Sequence, residues 1–184
     1  LLKFYSNPIL ELELLERIDS DLAAKIESEQ DGAKIDAVVD RAAELINQGE
    51  KVLIWSSFVA NVERIAQRLS HFGSEYIHGG IETEKESPNE DWEWEDLESR
   101  EAKIKRFKED DSINVLVANP AAAAESMSLH HVCNHALYCD RTYNAGHFLQ
   151  SQKRIHRLTE GEDKLKTIEI FSLEVRASID YHVD

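Results

Sequence analysis

Apolar residues recur along this chain with two periods, and the alternation between them is its main organising signal. From residue 9 to 29, Ile9, Leu10, Leu12, Leu14, Leu15, Ile18, Leu22 and Ile26 form a broad apolar face, which predicts one acidic helix. A second helix opens at Asp31-Gly32 and carries Ile35, Val38, Val39, Ala42, Leu45 and Ile46 on one side. It ends at Gly49, a residue type common just past a helix terminus. The run KVLIWSS over 51–57 is nearly continuous in apolar character, as in strands buried on both faces.

The alternation continues to the end of the chain. It predicts a helix over 59–72 ended by Gly73, a strand over 75–77, a helix over 99–109 and a strand over 113–117. A strand at 136–139, a helix at 145–157, a strand at 167–171 and a last helix follow. Strands separated by helices predict an α/β domain, a parallel sheet with helices on both faces. A helical arm over 1–30 precedes the main lobe at 31–184, and the acidic stretch 82–98, with Pro88, predicts an exposed insertion. Trp92 and Trp94 within it are a candidate protein-partner surface. In such a sheet, ligands gather outside the carboxyl ends of the strands. That singles out Ser56-Ser57-Phe58, His78-Gly79-Gly80, Asn119 onward and Asp140 onward.

Composition narrows the partners. Of 184 residues, 42% are hydrophobic and 31% charged, as in ordinary globular domains. No apolar run approaches the ~20 residues of a membrane span, and no secretory leader is evident. Two cysteines, Cys133 and Cys139, make no disulfide framework, so a cytoplasmic location is expected. The opening at Leu1 suggests a piece of a longer protein. A net charge of −15 disfavours general attraction to phosphates. Acid is concentrated in 11–31 and 82–98, however, whereas Arg100, Lys103, Lys105, Arg106 and Lys108 cluster, as do Lys153, Arg154 and Arg157. Local field matters more than the total.

On the predicted helix 145–157, Gln150, Arg154 and Arg157 fall at i, i+4 and i+7, on one face. Two guanidiniums at the rim of a parallel sheet make a charged fork suited to phosphate oxygens. The competing structural role is pairing with Glu160 or Glu162. His130, His131, Cys133, His135 and Cys139 are zinc-ligand types, but there is no C-x-x-C pair and Cys139 reads as core strand, so no metal is expected. Ser56, Ser57 and His78 lack the G-x-S-x-G elbow of a serine hydrolase.

Taken in order, these segments resemble the C-terminal RecA-like lobe of Swi/Snf-type helicase-superfamily ATPases. Leu2-Lys3-Phe4-Tyr5-Ser6-Asn7-Pro8 is similar to a segment ending in Asn-His-Pro, without the His. Asp31-Gly32-Ala33-Lys34-Ile35 resembles the opening of the lobe, KVLIWSSF motif IV, and Tyr76-Ile77-His78-Gly79-Gly80 the next strand and turn. VLVANPAAAAESMSL lies where motif V falls, and Gln150, Arg154, His156 and Arg157 have the spacing of motif VI. Asp140 to Asn144, with Tyr143, fits the segment ahead of it. The chain departs from the family at Ala121 to Ala124, where glycines are usual, at Pro120, which offers neither hydroxyl nor N–H, and at Ser128, where an amide is usual.

The resemblance implies the second motor lobe of an ATP-dependent DNA translocase. ATP with Mg²⁺ would lie between it and an N-terminal RecA-like lobe, with double-stranded DNA as the other partner. Arg154 and Arg157 would be arginine fingers, and Gln150, Ser126 and Ser128 would sit near the nucleotide. Ser56, Ser57, His78, Gly79 and Asn119 would line the nucleic-acid track. This stretch holds neither a G-x-x-x-x-G-K-[ST] phosphate loop nor an evident acidic box for Mg²⁺, so it should not hydrolyse ATP alone. The rival reading is a non-catalytic regulatory or protein-interaction lobe, favoured by the acidity, the alanine run and Trp92/Trp94.

Overall fold

Residues 2–29, 31–81, 99–122, 127–141, 144–155 and 167–175 are described by the computed structural model. Its strands are β1 (Val52–Trp55), β2 (Ser74–Ile77), β3 (Val115–Ala118), β4 (His135–Tyr138) and β5 (Glu169–Ser172). All pair in parallel in the spatial order β2-β3-β1-β4-β5. Val52 lies in register with Val115 and His135, and Trp55 with Ala118 and Tyr138. The sequence pattern is explained by this placement. β1 is central and covered on both faces, and its four residues are wholly buried. β5, at the edge, is mostly exposed, including Ile170.

Strand side chains alternate between two layers. Val52, Ile54, Val115, Val117 and Leu137 face one core with α4 (Ala33–Asn47) and α5 (Val59–Arg68). Leu53, Trp55, Leu116, Ala118, Ala136 and Tyr138 face the other, with Phe107 of α6 (Arg100–Glu109) and Phe148 of α7 (Ala145–Gln152). The buried apolar residues of α4, at 35, 38, 39, 42 and 45, follow the helical repeat read from the sequence. Ser99 caps α6 by accepting from Ala102 N–H at 3.2 Å, and Asn144 caps α7 through His147 N–H at 3.1 Å.

Three expectations are corrected. The arm is not one helix: α1 (Leu2–Ser6), a 3₁₀ turn at Pro8–Glu11, α2 (Leu12–Ile18) and α3 (Ser20–Glu29) follow one another. Asp19 interrupts with extended backbone, and its Oδ1 takes Leu22 N–H at 3.0 Å, an N-cap that starts α3. The apolar face of the arm is only partly used: Leu15 and Ala23 are buried, while Leu14, Ile18 and Leu22 are exposed. The helix predicted over 59–72 ends at Arg68, and a 3₁₀ turn at Ser70–Phe72 carries the chain to Gly73. The helix predicted over 145–157 stops at Gln152, a break with consequences for the site. The insertion 82–98 with Trp92 and Trp94, and the predicted last helix beyond residue 175, lie outside the described residues.

Two glycines have positive φ, for different reasons. Gly49 (φ +87) ends α4 in open space, whereas Gly73 (φ +74) lies against the backbone ahead of β3. A Cβ on Gly73 would come within 1.8 Å of Ser112 O. Gly49→Ala should therefore cost about 1 kcal/mol, the left-handed penalty alone. Gly73→Ala carries the same penalty plus a displaced β2–β3 junction and should lose at least about 2–3 kcal/mol. Urea unfolding midpoints of the two variants measure the contrast, and equal losses would contradict the clash.

Candidate functional site

The carboxyl edge of the sheet gathers the turns that follow β1, β2, β3 and β4, and a buried polar network organises it. Asp140, two residues past β4, is 1% exposed. Its Oδ2 accepts from Ser56 Oγ (2.6 Å) and Ser6 Oγ (2.8 Å), and its Oδ1 accepts from Ser57 N–H (2.7 Å). Three donors answer the lone pairs of a carboxyl group whose burial without partners would be costly. Asn61 of α5 donates to Ser6 Oγ at 2.8 Å and accepts from Asn7 Nδ2 at 3.2 Å. Asn7 Oδ1 in turn takes Gly32 N–H at 3.1 Å, ahead of α4.

The expected nucleic-acid residues fall into this frame. Ser56 is wholly buried, with its hydroxyl donated to Asp140. The Ser57 carbonyl accepts from Asn119 Nδ2 at 2.9 Å, so both peptide groups of Ser57 are held. Among the described residues the buried Ser57 Oγ has no hydrogen-bond partner. Asn119 also accepts Ala121 N–H at 3.0 Å, and its own N–H reaches Ile77 O. His78 Nδ1 accepts Gly80 N–H at 3.1 Å, which leaves the proton on Nε2, 3.1 Å from Glu63 Oε1. Gly79 is exposed, and its carbonyl accepts from Arg100 Nη2 while Arg100 Nε donates to Ile81 O. Ser57, Asn119 and His78-Gly79 thus form one continuous rim across β1, β3 and β2.

Of the expected nucleotide-side residues, Ser128, Gln150 and Arg154 are among those described. Ser128 Oγ lies 2.8 Å from His130 Nδ1, between the buried Met127 and Leu129. Because α7 ends at Gln152, Gln150 and Arg154 do not share one continuous helical face. The physical reason is a long-range bond: the Arg154 carbonyl accepts Leu129 N–H at 2.9 Å, and Ile155 turns into the core. Gln150 is exposed on the helix and Arg154 half-buried in the turn after it. Ser126, Tyr143 and Arg157 lie outside the described residues.

Sequence reasoning read the basic cluster on α6 as a general field, and much of it is committed internally. Lys103, 5% exposed, faces Glu75 Oε2 at 3.3 Å and lies over the Tyr76 ring, and Arg106 reaches Glu75 Oε1 at 2.7 Å. Asn61 and the part played by Asp140 were missed as well. Asn61 carried a signal, because it stands four residues before Ile65 on the apolar face of α5. Among the described residues no three His, Cys, Asp or Glu side chains converge on a metal position. Cys133 and Cys139 are buried, and Cys133 Sγ donates to backbone carbonyls of Lys51 and His135.

Tyr138 ties β4 to α7: its hydroxyl lies 2.6 Å from Ser151 Oγ, which donates to Phe148 O. Burial pushes its phenol up to about 12, against a smaller downward pull from Ser151. Above about pH 10 the unfolded chain ionises this phenol first, so its stabilising share is complete below pH 10 and lost as pH rises toward 12. That share is about 2–3 kcal/mol. Tyr138→Phe should flatten the fall of stability between about pH 10 and 12, seen as a smaller drop in urea midpoint than in the parent chain. An unchanged slope would mean the phenol ionises normally.

Comparison with known proteins bears on the fold and the family. The crystal structure of the C-terminal part of the Fun30 ATPase domain is similar, with a TM-score of 0.64 and 22% identity over 83% of this chain. The match takes in 44% of that chain, so this one spans less than half its length. At that identity the likeness is one of fold. A search of curated proteins finds no match. The helicase conserved C-terminal domain family matches residues 33–159, which take in four of the five strands, α4 to α7 and the whole carboxyl-edge network except Ser6, Asn7 and Gly32. The chain belongs to that family.

Proposed function

We propose that this chain is the second motor lobe of a Swi/Snf-type ATP-dependent DNA translocase. The observation that carries it is the gathering of the turns after β1, β2 and β3 along one carboxyl edge, within a helicase C-terminal domain. ATP with Mg²⁺ is the substrate, shared with an N-terminal RecA-like lobe that supplies the phosphate loop and acidic box. Arg154 and Arg157 reach the phosphates as arginine fingers, with Gln150, Ser126 and Ser128 near the nucleotide. Double-stranded DNA runs over the rim of Ser57, His78, Gly79 and Asn119, with Ser56 beneath it. The held peptide groups at Ser57 and the exposed Gly79 backbone support a rim that meets phosphates at fixed positions. Opening and closing of the two lobes then converts hydrolysis into stepping.

The role of Arg154 rests on its place in the turn joined to Leu129, and that of Arg157 on the resemblance. In the two-lobed protein, Arg157→Ala should lower the rate of hydrolysis about 10³–10⁵-fold and leave ATP affinity nearly unchanged, as for loss of a transition-state contact. Arg157→Lys should rescue little, because an ammonium lacks the planar fork. Arg154→Ala should behave like Arg157→Ala. Single-turnover hydrolysis and melting temperature, measured on the same preparations, separate catalysis from stability. Near-normal hydrolysis by either variant removes that residue from the site, and by both would favour a regulatory lobe.

A further inference from the structure

β1 and β4 are neighbours in the sheet, but the helices that follow them leave toward opposite faces. α5 packs with Ile54 and Leu137, and Phe148 of α7 packs with Trp55 and Tyr138. Such a divergence opens a crevice at the carboxyl ends, where open α/β sheets commonly take ligands. Here the chain fills its own crevice. Ser6 and Asn7, each 1% exposed, reach it from the segment before the sheet; Asp140 anchors Ser6, and Asn61 holds Asn7.

We propose that Asp140 is a positioning residue for the nucleic-acid-facing turn at Ser57, and that Ser6 and Asn7 act on that turn through it. The inference rests on the motor reading above. Every bond in the relay points toward one carboxylate. Gly32 N–H donates to Asn7, Asn7 to Asn61, Asn61 to Ser6, and Ser6 to Asp140 Oδ2. In a buried chain of this kind each bond polarises the next. Ser56 Oγ donates to the same Oδ2 and itself accepts Phe58 N–H at 3.3 Å. Asp140 Oδ1 holds Ser57 N–H, and Asn119 Nδ2 holds Ser57 C=O. The peptide planes on both sides of Ser57 are therefore fixed from below.

Stability alone is a poor reason for such a device. A buried carboxylate is costly to desolvate, and well-packed apolar groups often do as well or better. What a buried acceptor with three donors from two distant segments supplies is a single geometry. The segment entering the lobe is bonded to the same atom, Oδ2, that takes Ser56. A shift of Ser6 thus reaches the rim through two hydrogen bonds.

The test uses the full-length protein and duplex-stimulated ATP hydrolysis, read as the half-saturating concentration of a random-sequence duplex DNA and the maximal rate. Asp140→Asn should raise half-saturation about tenfold and Ser6→Ala about threefold, in line with lost hydrogen bonds to a charged group. Maximal rates should stay within about twofold, because the nucleotide sector is built from other residues. The double variant should bind DNA no more weakly than Asp140→Asn, since both act through one carboxylate. A purely structural role would lower the maximal rate with the folded fraction and leave half-saturation unchanged. Unchanged half-saturation in both single variants overturns the proposal. Should Asp140→Asn fail to fold, Ser6→Ala decides alone, because it leaves the carboxylate two of its donors. If DNA does not stimulate the parent protein, the motor reading fails and takes this inference with it. With a stimulated parent and unresponsive variants, only the positioning role falls.

Discussion

The carboxylate of Asp140 is the interaction on which the carboxyl edge depends. It stands where two central strands end and their helices part, a place with buried N–H and hydroxyl groups that no regular ladder can satisfy. One acceptor group settles three donors at once, two of them from the β1 turn and one from the segment before the sheet. Remove the acceptor group and those donors become buried and unpaired, each at a cost of about 1–3 kcal/mol. The sheet could form without this arrangement, but its edge would not have one conformation.

From that anchor the rest of the edge follows outward. Ser57 is held by Asp140 on one side and Asn119 on the other, and Asn119 fixes Ala121 in turn. At the next turn, Arg100 holds the carbonyls of Gly79 and Ile81, while His78 folds back onto Gly80 N–H. Ser56, Asn119 and His78 thus use their side chains within the lobe, and the backbone groups of Ser57, Gly79 and Gly80 are held by them and by Asp140 and Arg100. Internal use of charge sharpens this. Lys103 and Arg106 answer Glu75 on the edge strand β2, and Lys51 closes the end of α6 by donating to the carbonyls of Phe107 and Asp110. In a chain of net charge −15, attraction to a polyanion must then come from a few local groups.

How much of this was legible depended on whether the deciding contact was local. The strands were found because β1 and its neighbours are apolar on both faces, although β3 runs from Val115 rather than from residue 113. The α4 helix, with its end at Gly49, and the α6 helix were legible because their spacing and terminal residues agree with their burial. The α7 end was not. Nothing between Ala145 and Arg157 marks a stop at Gln152, because the cause lies at Leu129, whose N–H takes the Arg154 carbonyl. The exposure of Ile18 and Leu22 was equally hidden, since a helical period says which side is apolar but not whether anything covers it. Ser56 was recognised as lying after a strand, yet its inward hydrogen bond required Asp140, far along the chain.

A plugged switch point has a consequence for how such a lobe would meet a nucleotide. In many open α/β domains the crevice between diverging strands is itself the binding site, and a single domain suffices. Here Ser6 and Asn7 lie at it, bonded to Asp140 and to Asn61. Ser57, Asn119 and His78 lie toward β3 and β2, whereas Ser128, Gln150 and Arg154 belong to the segment after β3 and to the region of α7. On the motor reading proposed above, a lobe with this crevice filled would offer groups to a nucleotide from its rim, and the other lobe would supply the cradle. On that reading, a phosphate fork would be productive only when a second lobe closes upon it, and hydrolysis would be conditional on the arrangement of the two. The same plug bonds the entering chain to the strand ends, so the joint that fills the crevice is also the point through which an upstream body would pull on the rim.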